Sequence, residues 1–94
     1  MIDVASVVRL APKVRLKFDR HSQSYMLLYP ERGLALSATA ADVLTLCTEP
    51  RAVSAIVEQI VTKYGEPNRG AILADVLELL RDMAHRGLVR EVVS

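Results

Sequence analysis

Catalysis needs polar groups that converge, and few residues in this chain are spaced to do so. His21 sits in the polar run Arg20-His21-Ser22-Gln23, and His85 lies near the end of a helical stretch. Neither belongs to a metal-ligating spacing, such as two histidines four apart or a Cys-x-x-Cys pair. A lone histidine at a helix C-terminus more often interacts with the helix dipole. Cys47 is the single cysteine, so no intrachain disulfide is possible. It falls on an apolar helical face and reads as a small buried hydrophobe, not a nucleophile. Asp75, Glu78 and Asp82 recur along one helix and read as a solvated face. No Gly-x-Ser-x-Gly elbow, Walker loop or Gly-x-Gly-x-x-Gly occurs. Gly65 and Gly70 flank a helix–helix turn without the preceding strand that a phosphate loop needs. The expectation is no catalytic residue, no metal site and no bound cofactor, and therefore not an enzyme.

The elements that carry these residues divide near residue 37. Before it, Val14, Leu16 and Phe18 alternate with Arg15, Lys17 and Asp19, the period of a strand with one buried face. A polar turn follows. Tyr25, Leu27 and Tyr29 then alternate with Met26 and Leu28, so both faces are apolar, as in a central strand. The run Pro30-Glu31-Arg32-Gly33 supplies turn chemistry. Leu34, Ala35 and Leu36 form a third, short strand, and three strands on short turns make an antiparallel meander. Beyond it the pattern is helical. Ser37 or Thr39 caps a first helix, and Asp42 stands three residues after Thr39 in a capping-box arrangement. Glu49-Pro50 breaks the chain. Val53, Ile56, Val57, Ile60, Val61 and Tyr64 mark an amphipathic helix over about 52–64. Asn68 can cap a third helix over about 69–86, which Gly87 stops. Leu88-Val89 and Val92-Val93 make an extended tail that packs back, and residues 1–8 read as a flexible end of one domain spanning 1–94. The expected fold is α+β and winged-helix-like: a three-stranded antiparallel meander followed by three helices.

Composition narrows the function. The 94 residues are 51% hydrophobic, slightly rich for a domain that small, so apolar residues should remain outside the core as a patch, and such patches mark binding sites. Net charge is only +1, unlike a nucleic-acid binder. Residues 1–37 carry six Lys/Arg against three Asp/Glu, and residues 38–94 carry six against eight. This is either two solvated faces of opposite sign or an electropositive end that steers an acidic partner. No apolar run reaches the roughly 20 residues that span a bilayer, and the N-terminus lacks a signal-peptide pattern; the expectation is a cytoplasmic protein with no membrane partner.

The third helix carries more apolar surface than one core contact requires. Ile72, Leu73, Val76, Leu77, Leu79, Leu80, Met83 and Ala84 cover an arc of roughly 160°, against somewhat over 100° for a surface helix. Either the helix is covered on two sides, or one edge lines a groove. The edge of Ile72, Leu79 and Met83 lies beside Asp75 and Asp82, and the edge of Leu73, Leu77 and Ala84 beside Arg81. The Asp75 edge is favoured as the groove, since carboxylates there can meet basic residues of a peptide. A winged-helix DNA-binding regulator is the alternative, but Asp75, Glu78 and Asp82 on the last helix would repel phosphate.

Several runs resemble one family. VRLKFD at 14–19, MLLYPE at 26–31 and LALSATAADVLTLC at 34–47, with Val53, Ile56 and Val57, then Asp75-Val76 and Arg86-Gly87-Leu88-Val89, are similar in order and spacing to the PqqD family of pyrroloquinoline quinone biosynthesis, from about residue 9 to residue 89. Departures are Ser37 where the family often has Asn, Cys47-Thr48-Glu49-Pro50 in place of a Cys-Asp-Gly turn, and Leu88 where Trp is frequent. The resemblance implies a small winged-helix-like peptide chaperone. It would bind the ribosomal precursor peptide PqqA and deliver it to the radical S-adenosylmethionine enzyme PqqE, or serve as the leader-peptide recognition domain of another modified-peptide pathway. The residues agree on mechanism: an extended peptide can join an edge strand. The expected peptide-binding residues are Leu34, Ala35 and Leu36 on the last strand, with Ile72, Asp75, Val76 and Leu79 on the helix. An open edge permits either a monomer or a homodimer.

Overall fold

The computed structural model describes residues 1–30 and 32–93, so Glu31 of the expected turn lies outside the described residues. The strands are β1 (Val7–Leu10), β2 (Arg15–Asp19), β3 (Ser24–Tyr29), β4 (Arg32–Ala35), β5 (Arg51–Ala52) and β6 (Val89–Glu91). The helices are α1 (Ala38–Thr45), α2 (Val53–Tyr64) and α3 (Arg69–His85), with 3-10 turns after α1 and before α3. The fold is α+β. The meander β2-β3-β4 precedes the three helices as the sequence pattern requires, and a second antiparallel sheet, β5-β1-β6, joins the two chain ends.

That second sheet corrects the reading of residues 1–8 as a loose end. Val8 is buried at the centre of β1, pairing with Arg51 on one side and Glu91 on the other. Ile2 is only 3% exposed, and its carbonyl accepts a hydrogen bond from Arg81 Nε at 2.9 Å. Val7, Val8 and Leu10 are too few to show a period, so only their distant partners identify them as a strand. The tail does pack back, because α3 ends in a Schellman motif. Gly87 adopts φ +77°. Its N–H bonds the Ala84 carbonyl, and the Leu88 N–H bonds that of Met83. Glycine takes this conformation without a Cβ penalty, and the turn aims Leu88 into the core and Val89 onto β1.

Local capping follows the sequence at Ser37 and departs from it at Asp42 and Asn68. Ser37 caps α1 by accepting the Ala40 N–H at 3.1 Å, whereas Asp42 reaches across to α2 instead of back to the helix start. Asn68 stands at the N-cap of α3 but makes no capping bond; its Nδ2 donates to the Tyr64 carbonyl at 2.9 Å.

All three helices, β1, β3 and the chain ends contribute to one hydrophobic cluster. From α3 the buried stripe is Ile72, Val76, Leu80 and Met83, while Leu73, Leu77, Leu79 and Ala84 are only half-buried. In the meander, burial fades towards the β2–β3 turn. Val14 and Leu27 are buried, but Phe18 and Tyr25 are 43% and 37% exposed, stacked edge to face at 5.2 Å. They share the core-facing side, yet the hairpin runs past the last core residue that could cover them. Leu80→Ala should therefore cost about 2–5 kcal/mol of stability, since a fully buried methylene cluster would leave a cavity; urea unfolding should show a lower midpoint with an unchanged slope.

Candidate functional site

Two features follow one another along the chain at Ser37. The first is the free edge of β4. In an antiparallel ladder, residues alternate between pairs that exchange hydrogen bonds and pairs whose peptide groups point away from each other. The Leu36 N–H bonds the Tyr25 carbonyl, and the register runs Met26 with Ala35, Leu27 with Leu34 and Leu28 with Gly33. Leu34 and Leu36 therefore spend their peptide groups on β3, while Gly33 and Ala35 direct theirs outward. Of the three strand residues singled out in the sequence, only Ala35 presents an open peptide; Gly33 reads in the sequence as the last turn residue, whereas β4 runs over Arg32–Ala35. The opposite edge, β2, carries Arg15 and Lys17, charges that disfavour strand addition. The β4 edge has only Arg32 before the bare Gly33.

The second feature is a groove of about 490 Å³ between α1, the end of α2 and α3. Val43, Ile60, Ile72, Val76 and Leu79 make its apolar lining, and Ser37, Thr39, Tyr64, Asn68 and Asp75 its polar margin. The four helix residues expected from the sequence, Ile72, Asp75, Val76 and Leu79, thus share one groove. Met83 does not; it is buried with the core stripe. Leu34, Ala35 and Leu36 do not line the groove, but the chain leaving β4 enters its wall at Ser37. On the far side of α3, Leu73 and Leu77 border a separate shallow hollow with Arg81.

One cluster fixes the groove wall and was not anticipated. Tyr64 Oη donates to Asp42 Oδ2 at 2.6 Å, and Lys63 Nζ donates to both Asp42 oxygens at 2.9 Å. Partial burial raises the Asp42 pKa, but the Tyr64 hydroxyl and the Lys63 ammonium more than offset this and hold it below the usual carboxylate value. Arg69 meets Glu58 and Glu66 and so joins α2 to the start of α3. A second groove, of about 500 Å³, lies beyond the clasp, with Phe18, Tyr25 and Leu36 along it.

Chemistry elsewhere is sparse. Cys47 is fully buried, its Sγ is 3.5 Å from the Val43 carbonyl, and burial pushes its thiol pKa up to about 12. His21 and His85 are both exposed. Among the described residues, no three His, Cys, Asp or Glu gather closely enough to hold a metal. None of the described helices is long and apolar enough to cross a membrane.

The profile of the family described as "Coenzyme PQQ synthesis protein D (PqqD)" matches residues 24–89. The chain belongs to the PqqD family. Two relatives carrying the name "PqqA binding protein" come from Rhodopseudomonas palustris, 39% identical over 96% of this chain and 87% of the relative, and Bradyrhizobium diazoefficiens, 38% identical over 96% and 86%. A third, from Methylococcus capsulatus, is 32% identical over 95% and 92%. The solution structure of the PqqD part of Methylobacterium extorquens PqqCD, described as a functional and stand-alone recognition element for ribosomally synthesized, post-translationally modified peptides, superposes with a TM-score of 0.80 at 31% identity, over 96% of this chain and 95% of that one. In this PqqD-family chain the candidate site comprises the strand edge of β4 and the apolar groove beside α3.

The clasp gives a pH signature. A carboxylate with a depressed folded pKa contributes stability that is fully present above its unfolded pKa, near 3.8, and lost as pH falls through the folded value. Asp42→Asn should lower the melting temperature by a few degrees at pH 7, and the gap from wild type should close as the pH drops below about 4.

Proposed function

We propose that this protein is a peptide chaperone of pyrroloquinoline quinone biosynthesis: it binds the precursor peptide PqqA as an added strand on β4 and presents it to the radical S-adenosylmethionine enzyme PqqE in the cytoplasm. The observation that carries the reading is the pair of outward-facing peptide groups at Gly33 and Ala35, on an edge with one charged residue, Arg32, where β2 has Arg15, Lys17 and Asp19, leading into an apolar groove. Backbone pairing would set the peptide's register and orientation. Alternate side chains of an extended peptide point to one side, and those facing α3 would enter the groove between Val43, Ile72, Val76 and Leu79. Asp75 at the margin suits a basic residue of the peptide. The names of the relatives support PqqA as the ligand. Peptide modification belongs to the enzyme in this scheme; the one thiol here is buried and protonated.

A winged-helix DNA regulator is disfavoured by the charge of α3, where Asp75, Glu78 and Asp82 are all exposed.

Two substitutions test the site. Leu79→Ala should weaken PqqA binding roughly tenfold, about 1.4 kcal/mol, with a melting temperature close to wild type, while Leu77→Ala on the other edge should leave affinity unchanged; titration calorimetry and thermal melts read both. Equal affinities for all three proteins would place the peptide elsewhere. Ala35→Pro removes an outward N–H without touching the β3 ladder, a replacement tolerated on an edge strand. It should abolish most PqqA binding, and in the wild type amide exchange at Gly33 and Ala35 should slow when PqqA is added.

A further inference from the structure

The peptide reading uses the edge of the meander and leaves its outer face bare. The register sets Arg15 across from Leu28 and Lys17 across from Met26, then Met26 across from Ala35 and Leu28 across from Gly33. These six residues share the face opposite to that of Leu27, which is fully buried. Met26 and Leu28 are half-buried, and the other four are exposed. A Cβ added at Gly33 would come 3.1 Å from Met26 Cε and 3.5 Å from Leu28 Cδ2, so the two apolar side chains lean over the bare glycine. The result is a small apolar centre with two cations along its β2 side.

Among the described residues those cations make no ion pair, and neither does the nearby Arg20. Asp19, in the same row, is engaged in its own turn, accepting the His21 N–H and the Ser22 hydroxyl, both at 3.0 Å. A hollow of about 470 Å³ runs from Met26 and Leu28 to Lys17, Asp19, Arg20 and His21 at the hairpin end, where the two cations outnumber the one carboxylate. On α3, Asp75, Glu78 and Asp82 stand around one hollow, with Asp82 paired to Arg86.

We infer that the outer face of β2, β3 and β4 is the docking surface for the enzyme that acts on the bound peptide, through a patch of that enzyme that is apolar at its centre and carboxylate-rich at its rim. The inference rests on the peptide reading. A peptide strand added to β4 extends the same sheet, so every second peptide side chain projects on the outer face, next to Gly33 and Ala35. Those two residues are the smallest available and leave that row low. A protein seated on Arg15, Lys17, Met26 and Leu28 therefore meets the outward side chains of the peptide in the same plane. Exposed cations at its rim speed encounter with an acidic partner.

The test compares wild type with Arg15→Glu/Lys17→Glu and with Lys17→Glu alone, using purified PqqE and PqqA as separate probes in titration calorimetry. Both positions are exposed, and thermal melts verify folding. The double variant should bind PqqE at least about tenfold more weakly, the single variant by less, and the wild-type affinity for PqqE should fall as salt is raised. PqqA affinity should stay within about twofold of wild type, since β4 is untouched. Unchanged PqqE affinity in the double variant overturns the inference, as does an equal loss for PqqE and PqqA. Wild-type self-association in sedimentation, abolished in the double variant with PqqE binding intact, would make the face a contact between copies and also overturn it. Failure of wild type to bind PqqA, with PqqE binding still sensitive to charge reversal, would sink the peptide reading and leave the docking surface standing.

Discussion

The third helix can press only one stripe into the core, and much of the molecule follows from that limit. Ile72, Val76, Leu80 and Met83 take the buried positions, and none of the described elements lies over the rest. Leu79 is left half-wet on one side, and Leu73 and Leu77 on the other. On the Asp75 side, α1 and the end of α2 stand close enough to turn the remnant into a groove with walls. On the Arg81 side no such wall forms, and the remnant is a shallow hollow. The same surplus of apolar residues thus has two different consequences, set by what stands next to the helix.

The groove walls are held by exposed polar contacts, which contribute little to overall stability individually. Their role is positional. The Asp42 carboxylate ties α1 to the last turn of α2 through Lys63 and Tyr64, and Arg69 ties α2 to the first turn of α3 through Glu58 and Glu66. Both lie at the protein surface, so they brace the helices around the groove at little cost in buried charge. Tyr64 serves twice, as a member of the clasp and as part of the groove lining.

The meander completes the arrangement by having unlike edges. Arg15 and Lys17 discourage strand addition at β2, while Gly33 and Ala35 leave β4 open and low. Only β4 runs on into the groove wall, through Ser37, which also caps α1. Edge, cap and groove are therefore consecutive along ten or so residues of chain, a short path over which backbone pairing and side-chain burial can act on one peptide.

Much of this was legible in the residues. Period two at 14–18 and 25–29, period 3.6 through Val53 to Tyr64, and the Gly87 stop are local signals, and the three-stranded meander and the three helices follow from them. The excess apolar arc of α3 also set Ile72 and Leu79 beside Asp75 on one edge, though it placed Met83 there too, which the structure buries in the core stripe. What required the tertiary structure is of a different kind. Val7 to Leu10 is a central strand only because Arg51-Ala52 and Val89 to Glu91 flank it, contacts more than 40 residues away in sequence. Asp42 has capping-box spacing from Thr39, yet its partners are Lys63 and Tyr64 on another helix. Phe18 keeps the correct face but loses its burial, since pattern records direction and not how far the core extends. The outward peptides belong to Gly33 and Ala35 and not to Leu34 and Leu36, because the choice between them is one of hydrogen-bond parity. Side-chain alternation assigns residues to faces, whereas only the register of β4 on β3 decides which backbone groups remain free.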